Sequence, residues 1–153
     1  MALARATMCD SIIALLKASA KANLAAVDDN AIQFGTRKFG QIFALQFGKG
    51  ILVGLGGGSV APLTMGAEKQ DVVHNIEIVV YTIGHDPDAD LRLVVSILEE
   101  IEEILWASAT MTLTGGGTIT GEPSVAFGPP VAGSDMTLHW AVMQLSYRKT
   151  GTL

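Results

Sequence analysis

The sequence is poor in the residues on which most small-protein chemistry depends. It has one cysteine, Cys9, so no intramolecular disulfide can form. With no second thiol or neighbouring histidine, Cys9 makes neither a CxxC redox pair nor a zinc site; it reads as a small apolar residue on a helix. Charge is scarce as well, at 16% of residues against about 25% in an ordinary globular domain. Ten Lys and Arg face fifteen Asp and Glu, for a net charge of −5 and a pI near 5.0, which argues against tight, sequence-independent binding to a phosphate backbone. The three histidines, His74, His85 and His139, are scattered, none at metal-ligand spacing from Cys9 or from another histidine. No GxSxG, HExxH or Ser-His-Asp order stands out, so no catalytic residue is assigned and the chain is not read as an enzyme.

Three stretches imitate binding motifs without completing them. His85-Asp86-Pro87-Asp88-Ala89-Asp90 is as oxygen-rich as a calcium loop, but lacks the glycine at the sixth position and the later bidentate acid. Helix capping accounts for its aspartates. Gly54-Leu55-Gly56-Gly57-Gly58-Ser59 could cradle a phosphate only with a helix opening directly behind it, and Val60-Ala61-Pro62-Leu63 does not read as one. Gly48-Lys49 fails the Walker pattern, because Phe43 stands where the first glycine is required and Gly50 follows the lysine. No metal, nucleotide or other cofactor is expected. The opening Met1-Ala-Leu-Ala-Arg5 does not read as a signal peptide. The uncharged run from Gly50 to Ala67 is broken by five further glycines and Pro62, which oppose a helix and make it read as a loop, not a membrane span.

What is present is hydrophobic patterning over one 153-residue chain, 49% apolar and long enough to bury one core. Thr7-Met8-Cys9-Asp10 matches a capping box. Met8, Ile12, Leu15 and Leu16 then recur at helical spacing, predicting an amphipathic helix to about Asn23, with a loop at Val27 to Asn30. Phe43, Leu45 and Phe47 alternate before Gly48-Lys49-Gly50 and Ile51-Leu52-Val53, which reads as two short strands around a glycine turn. Val72 to Ile83, rich in β-branched residues, reads as a central strand. Asp86-Pro87 opens a helix whose apolar stripe is Leu91, Val94, Val95, Leu98, Ile101, Ile104 and Leu105. Off that stripe, Glu99, Glu100, Glu102 and Glu103 form a candidate acidic surface. A strand or two separated by loops is expected between Ala107 and Ser134, around pieces such as Met111-Thr112-Leu113 and Val125-Ala126-Phe127. A long closing strand is expected from Met136 to Arg148.

These elements, without regular βαβ alternation, predict an α+β fold: a mostly antiparallel mixed sheet with two main helices packed on one face. A single domain spanning residues 1–153 is expected, with long apolar, glycine-rich loops at about 50–70 and 107–135. A free monomer would expose much of these loops, and large apolar patches mark interfaces. The alternative is that they fold back over their own core. Val60, Leu63, Met65, Val125 and Phe127 are the candidate assembly-interface residues.

The order of elements carries a resemblance. The N-terminal amphipathic helix, the hairpin and long loop, and the strand His74-Asn75-Ile76-Glu77-Ile78-Val79-Val80-Tyr81 come first. The acidic helix and the closing strand ending Gln144-Leu145-Ser146-Tyr147-Arg148 follow. Together they resemble the tail terminator proteins of long-tailed bacteriophages over most of the chain. The resemblance implies a non-enzymatic virion subunit, usually a hexamer, that caps the tail tube, stops its polymerisation and forms the joint to the neck or head. The implied partners are copies of the chain, the tail-tube protein and a neck or head-completion protein. DNA passes through without tight binding, and no membrane is involved. The implied location is the virion tail, assembled in the host cytoplasm. A neck or head-completion protein or a tail-tube subunit is the alternative within assembly. A small ligand-binding or enzymatic α+β domain is the alternative from another class.

Overall fold

The computed structural model of the chain describes residues 5–35, 48–62, 69–107, 118–133 and 136–152. Helix α1 runs over Arg5–Lys17 and buries Met8, Cys9, Ile12 and Leu16, the helical repeat visible in the sequence. It ends six residues before the predicted Asn23. The Ser19 hydroxyl accepts from the Lys21 amide at 3.2 Å, a local side-chain bond that competes with helix continuation. A short helix, α2, follows at Ala22–Ala25. The stretch expected as a loop after Val27 holds a 3₁₀ turn, Asp29–Ala31, capped by the Asp28 carboxylate accepting from the Asn30 amide at 2.8 Å.

Strands β1 (Ile32–Phe34), β2 (Lys49–Pro62) and β3 (Lys69–Gly84) come next, then helix α3 (Pro87–Ala107), then β4 (Thr118–Phe127), β5 (Val131–Ala132) and β6 (Thr137–Thr152). The sheet order is β1-β2-β3-β6-β4, with β5 also paired to β6. Among the described residues β1 and β2 pair in parallel and every other pairing is antiparallel. Strand β3 is central, as its apolar density predicted, and its register with β6 runs unbroken from Lys69 opposite Thr152 to Gly84 opposite Thr137. The fold is α+β.

Helix α3 opens as predicted. The Asp86 carboxylate accepts from the Ala89 amide at 3.2 Å, and Pro87 takes the first helical position. Its buried residues are Val94, Ile97, Leu98, Ile101 and Leu105. The predicted stripe is thus corrected at one end: Leu91, in the first turn, is 43% exposed, while Ile97, absent from that stripe, is fully buried. Under α1 and α3 lie Ile51, Val53, Ile76, Ile78, Val80, Ala141, Met143 and Leu145, which complete the larger core. On the opposite face of the sheet, Leu52, Val79, Tyr81, Leu138 and Val142 form a second, smaller buried cluster with Ile83, Val131 and Trp140 against it.

The loop expected at about 50–70 is corrected where described, while between 107 and 135 the described residues hold β4 and β5, the strand or two expected there, joined by Gly128-Pro129-Pro130. The glycine-rich run up to Pro62 continues β2, paired with β3 as far as Pro62 opposite Gln70, with a register shift between Leu55 and Gly58. Gly50, at the start of β2, and Gly128, just past the end of β4, each lie against an aromatic ring. A Cβ on Gly50 would run into the Tyr81 hydroxyl and stand 2.8 Å from the Ala31 carbonyl oxygen; one on Gly128 would enter the Trp140 indole. Both glycines lie directly across a strand pair from the aromatic residue that covers them, so their lack of a side chain makes room for a ring. The predicted strand around Phe43, Leu45 and Phe47 and the piece Met111-Thr112-Leu113 lie outside the described residues.

Candidate assembly surfaces

Antiparallel pairing with β6 places Ser124 opposite Gln144, Val125 opposite Met143, Ala126 opposite Val142 and Phe127 opposite Ala141. Alternate residues therefore face opposite sides. Val125, on the helix side, is half-buried and packs against the larger core, while Phe127 on the same side is 56% exposed at the sheet margin. On the other side, Ser124, Ala126, Gly128, Trp140, Val142 and Gln144 line a shallow groove of about 330 Å³. The Trp140 indole N–H donates to the Pro129 carbonyl at 2.9 Å, fixing the ring over Gly128.

Of the other candidate interface residues, Val60 lies in β2 opposite Val72, away from the Val125 and Phe127 window. Leu63 and Met65 lie outside the described residues. Sequence reasoning missed Phe34, 51% exposed on β1 at the other margin of the sheet, and the exposed Leu55 and Met136. The alternation Ile32-Gln33-Phe34, apolar-polar-apolar, was the available signal for Phe34.

The acidic surface divides into two roles. Glu99 and Glu102 are exposed. Glu100 is half-buried and caps α2, its carboxylate accepting from the Asn23 amide at 3.0 Å, the Asn23 side-chain amide at 3.1 Å and the Leu24 amide at 2.8 Å. Since the N-cap position of α2, Lys21, supplies no side-chain bond, α3 provides the missing acceptor. Glu103 forms an ion pair with Lys21. The helix face expected to be solvated therefore also fastens α2 to α3.

Cys9 is buried in the larger core, and burial, with a smaller contribution from Asp10, raises its thiol to about pKa 11. The thiolate is disfavoured, which suits a packing residue and not a nucleophile. His74 and His139 are buried in the sheet, and His85 is exposed. Among the described residues no three His, Cys, Asp or Glu side chains converge as a metal site. Among them, too, no helix is long and apolar enough to cross a membrane.

No protein-family model matches the sequence, and no curated protein does. Among solved structures, a chain from the virion of a native gene transfer agent particle is similar over 94% of this chain and 96% of that chain, at 19% identity and a TM-score of 0.49. That likeness is too slight to carry an assignment of family.

Proposed function

We propose that this chain is a virion structural subunit that closes into a ring at the end of a phage tail tube, stopping its growth and joining it to the neck or head. One observation carries the reading: a single sheet presents a half-exposed phenylalanine at each of its two margins, Phe34 and Phe127. A subunit that must meet a copy of itself on both sides needs two such apolar surfaces. The layout of elements that resembles tail terminators supports the same reading. Electrostatics are compatible with DNA passage: six chains at −5 each carry roughly thirty formal negative charges, and an acidic lumen repels phosphates. The subunit acts by assembly, without a catalytic group.

The test is light-scattering mass over a concentration series, with electron microscopy and tail completion in cells lacking the protein. A discrete hexameric ring that completes tails is the expected result. Open-ended tubes would identify a tube subunit instead. A monomer at every concentration, with tails completed normally in its absence, would overturn the proposal.

A further inference from the structure

The two margins of the sheet match each other as strands. At one, β1 and the residue after it, Ile32 to Gly35, pair with β2; at the other, Ser124–Phe127 of β4 pair with β6. Each window is four residues long and uncharged. The β4 window is bounded by Pro123 and by Gly128-Pro129-Pro130, and prolines, lacking an N–H, confine further pairing to the residues between them.

Direction and facing also agree. One parallel pairing followed by three antiparallel ones leaves β1 and β4 running in opposite senses. When one copy is set beside the next in the same orientation, β4 therefore meets β1 as an antiparallel pair. Ile32 belongs to the helix-side core and Val125 packs against that same core. Phe34 and Phe127, each two residues further along its strand, share that side. Joining the margins brings the two exposed rings to one face of the joint.

We infer that copies of this chain join head to tail by strand addition, β1 of one copy against β4 of the next, with Ile32 opposite Phe127 and Phe34 opposite Val125. The contact rests on the ring reading above and specifies its partner surface, a second copy. It is heterologous, so its repetition gives a ring with a continuous sheet when the rotation from copy to copy closes, and an open filament when it does not. In this register Gln33 lies opposite Ala126, and directly opposed antiparallel positions, with Cα atoms about 4.5–5.5 Å apart, fall within disulfide reach.

The test is oxidation of the full chain carrying both Gln33→Cys and Ala126→Cys, read on a non-reducing gel beside the native mass. Cys9 is buried and leaves the background low. A covalent ladder ending at the ring's mass, absent from either single variant, is expected. Rings of full mass that do not cross-link would overturn the contact while leaving the ring reading intact. Cross-linked dimers of the Ala126→Cys single variant would show β4 meeting β4 and overturn it as well. A wild-type chain that is monomeric at every concentration would overturn the ring reading, and the contact with it. As a second measurement, Phe127→Asp should reduce the mass to that of a monomer with unchanged circular dichroism, because the ring is more than half exposed in the subunit. Retention of the full ring by that variant would count against the contact.

Discussion

The two faces of the sheet are closed by different means. On one, aliphatic residues of β2, β3 and β6 interlock with the apolar stripes of α1 and α3, so strand and helix periodicities specify the same surface twice. On the other, the buried cluster is built with aromatic side chains, Tyr81 over Gly50 and Trp140 over Gly128. There a glycine and a ring across the strand pair do the work of a side-chain pair. Gly50, which opens the run that reads as a flexible loop, thus belongs to an interior strand opposite an aromatic residue, while Gly54 and Gly58 further along lie opposite Glu77 and His74.

The comparison breaks first at the helix-covered face. Leu98 is 2% exposed, and Leu98→Ala should cost about 2–5 kcal/mol through the cavity it leaves, measured by denaturant unfolding. Next comes overpacking of the far face. Gly50→Val should cost about 1–3 kcal/mol because the new side chain meets both the buried Tyr81 ring and the fixed Ala31 backbone. Gly50→Val with wild-type stability would mean that Tyr81 is free to leave its place over the glycine.

Alkaline titration sharpens the contrast, since each face holds a buried acidic group, Cys9 on one and Tyr81 on the other. Cys9, on the helix side, is raised from 9.0 to about 11, and Tyr81, on the far side, is raised above 10.0 by burial. Below pH 9 the thiol is protonated in both folded and unfolded chains, and its contribution is fully present. As the pH rises from 9 to about 11 the unfolded chain gives up the proton first, so stability falls across that window. The Tyr81 phenol extends the fall above pH 10.0. Unfolding midpoints against pH should therefore decline above 9, and Cys9→Ala should flatten the lower part of the decline. An unchanged curve in that variant would show that the thiol titrates normally.

Much of the helix side was legible in the sequence, because its signals are local: the Asp86-Pro87 start, the spacing of Met8, Ile12 and Leu16, and the β-branched run of β3 each declare an element without reference to the rest. The far face was not. Tyr81 and Gly50, or Trp140 and Gly128, are distant in sequence and become partners only once strand register is fixed, so glycine was read by its local preference for loops. The candidate surface was half legible for the same reason. Val125 and Phe127 alternate plainly within an apolar piece, whereas the signal for Phe34 is one apolar-polar-apolar step on a three-residue strand, easily passed over.

The acidic helix yields the smallest expected effect and separates two carboxylates that look alike in sequence. Glu100 and Glu102 both lie off the apolar stripe, yet only Glu100 reaches the amides of Asn23 and Leu24. Helix α2 is four residues long, too short to persist by its own hydrogen bonds. Its orphan amides depend on the acceptor supplied by α3, while buried Leu24 holds it to the core. Glu100→Ala should therefore cost about 0.5–2 kcal/mol, the range for loss of an N-terminal cap. Glu102→Ala, at an exposed position, should change stability by less than about 0.5 kcal/mol. Hydrogen exchange should show faster exchange of the Asn23 and Leu24 amides in the first variant alone. Equal effects of the two substitutions would mean that the carboxylate of Glu100 is spent in solvent and that packing of Leu24 alone fixes α2.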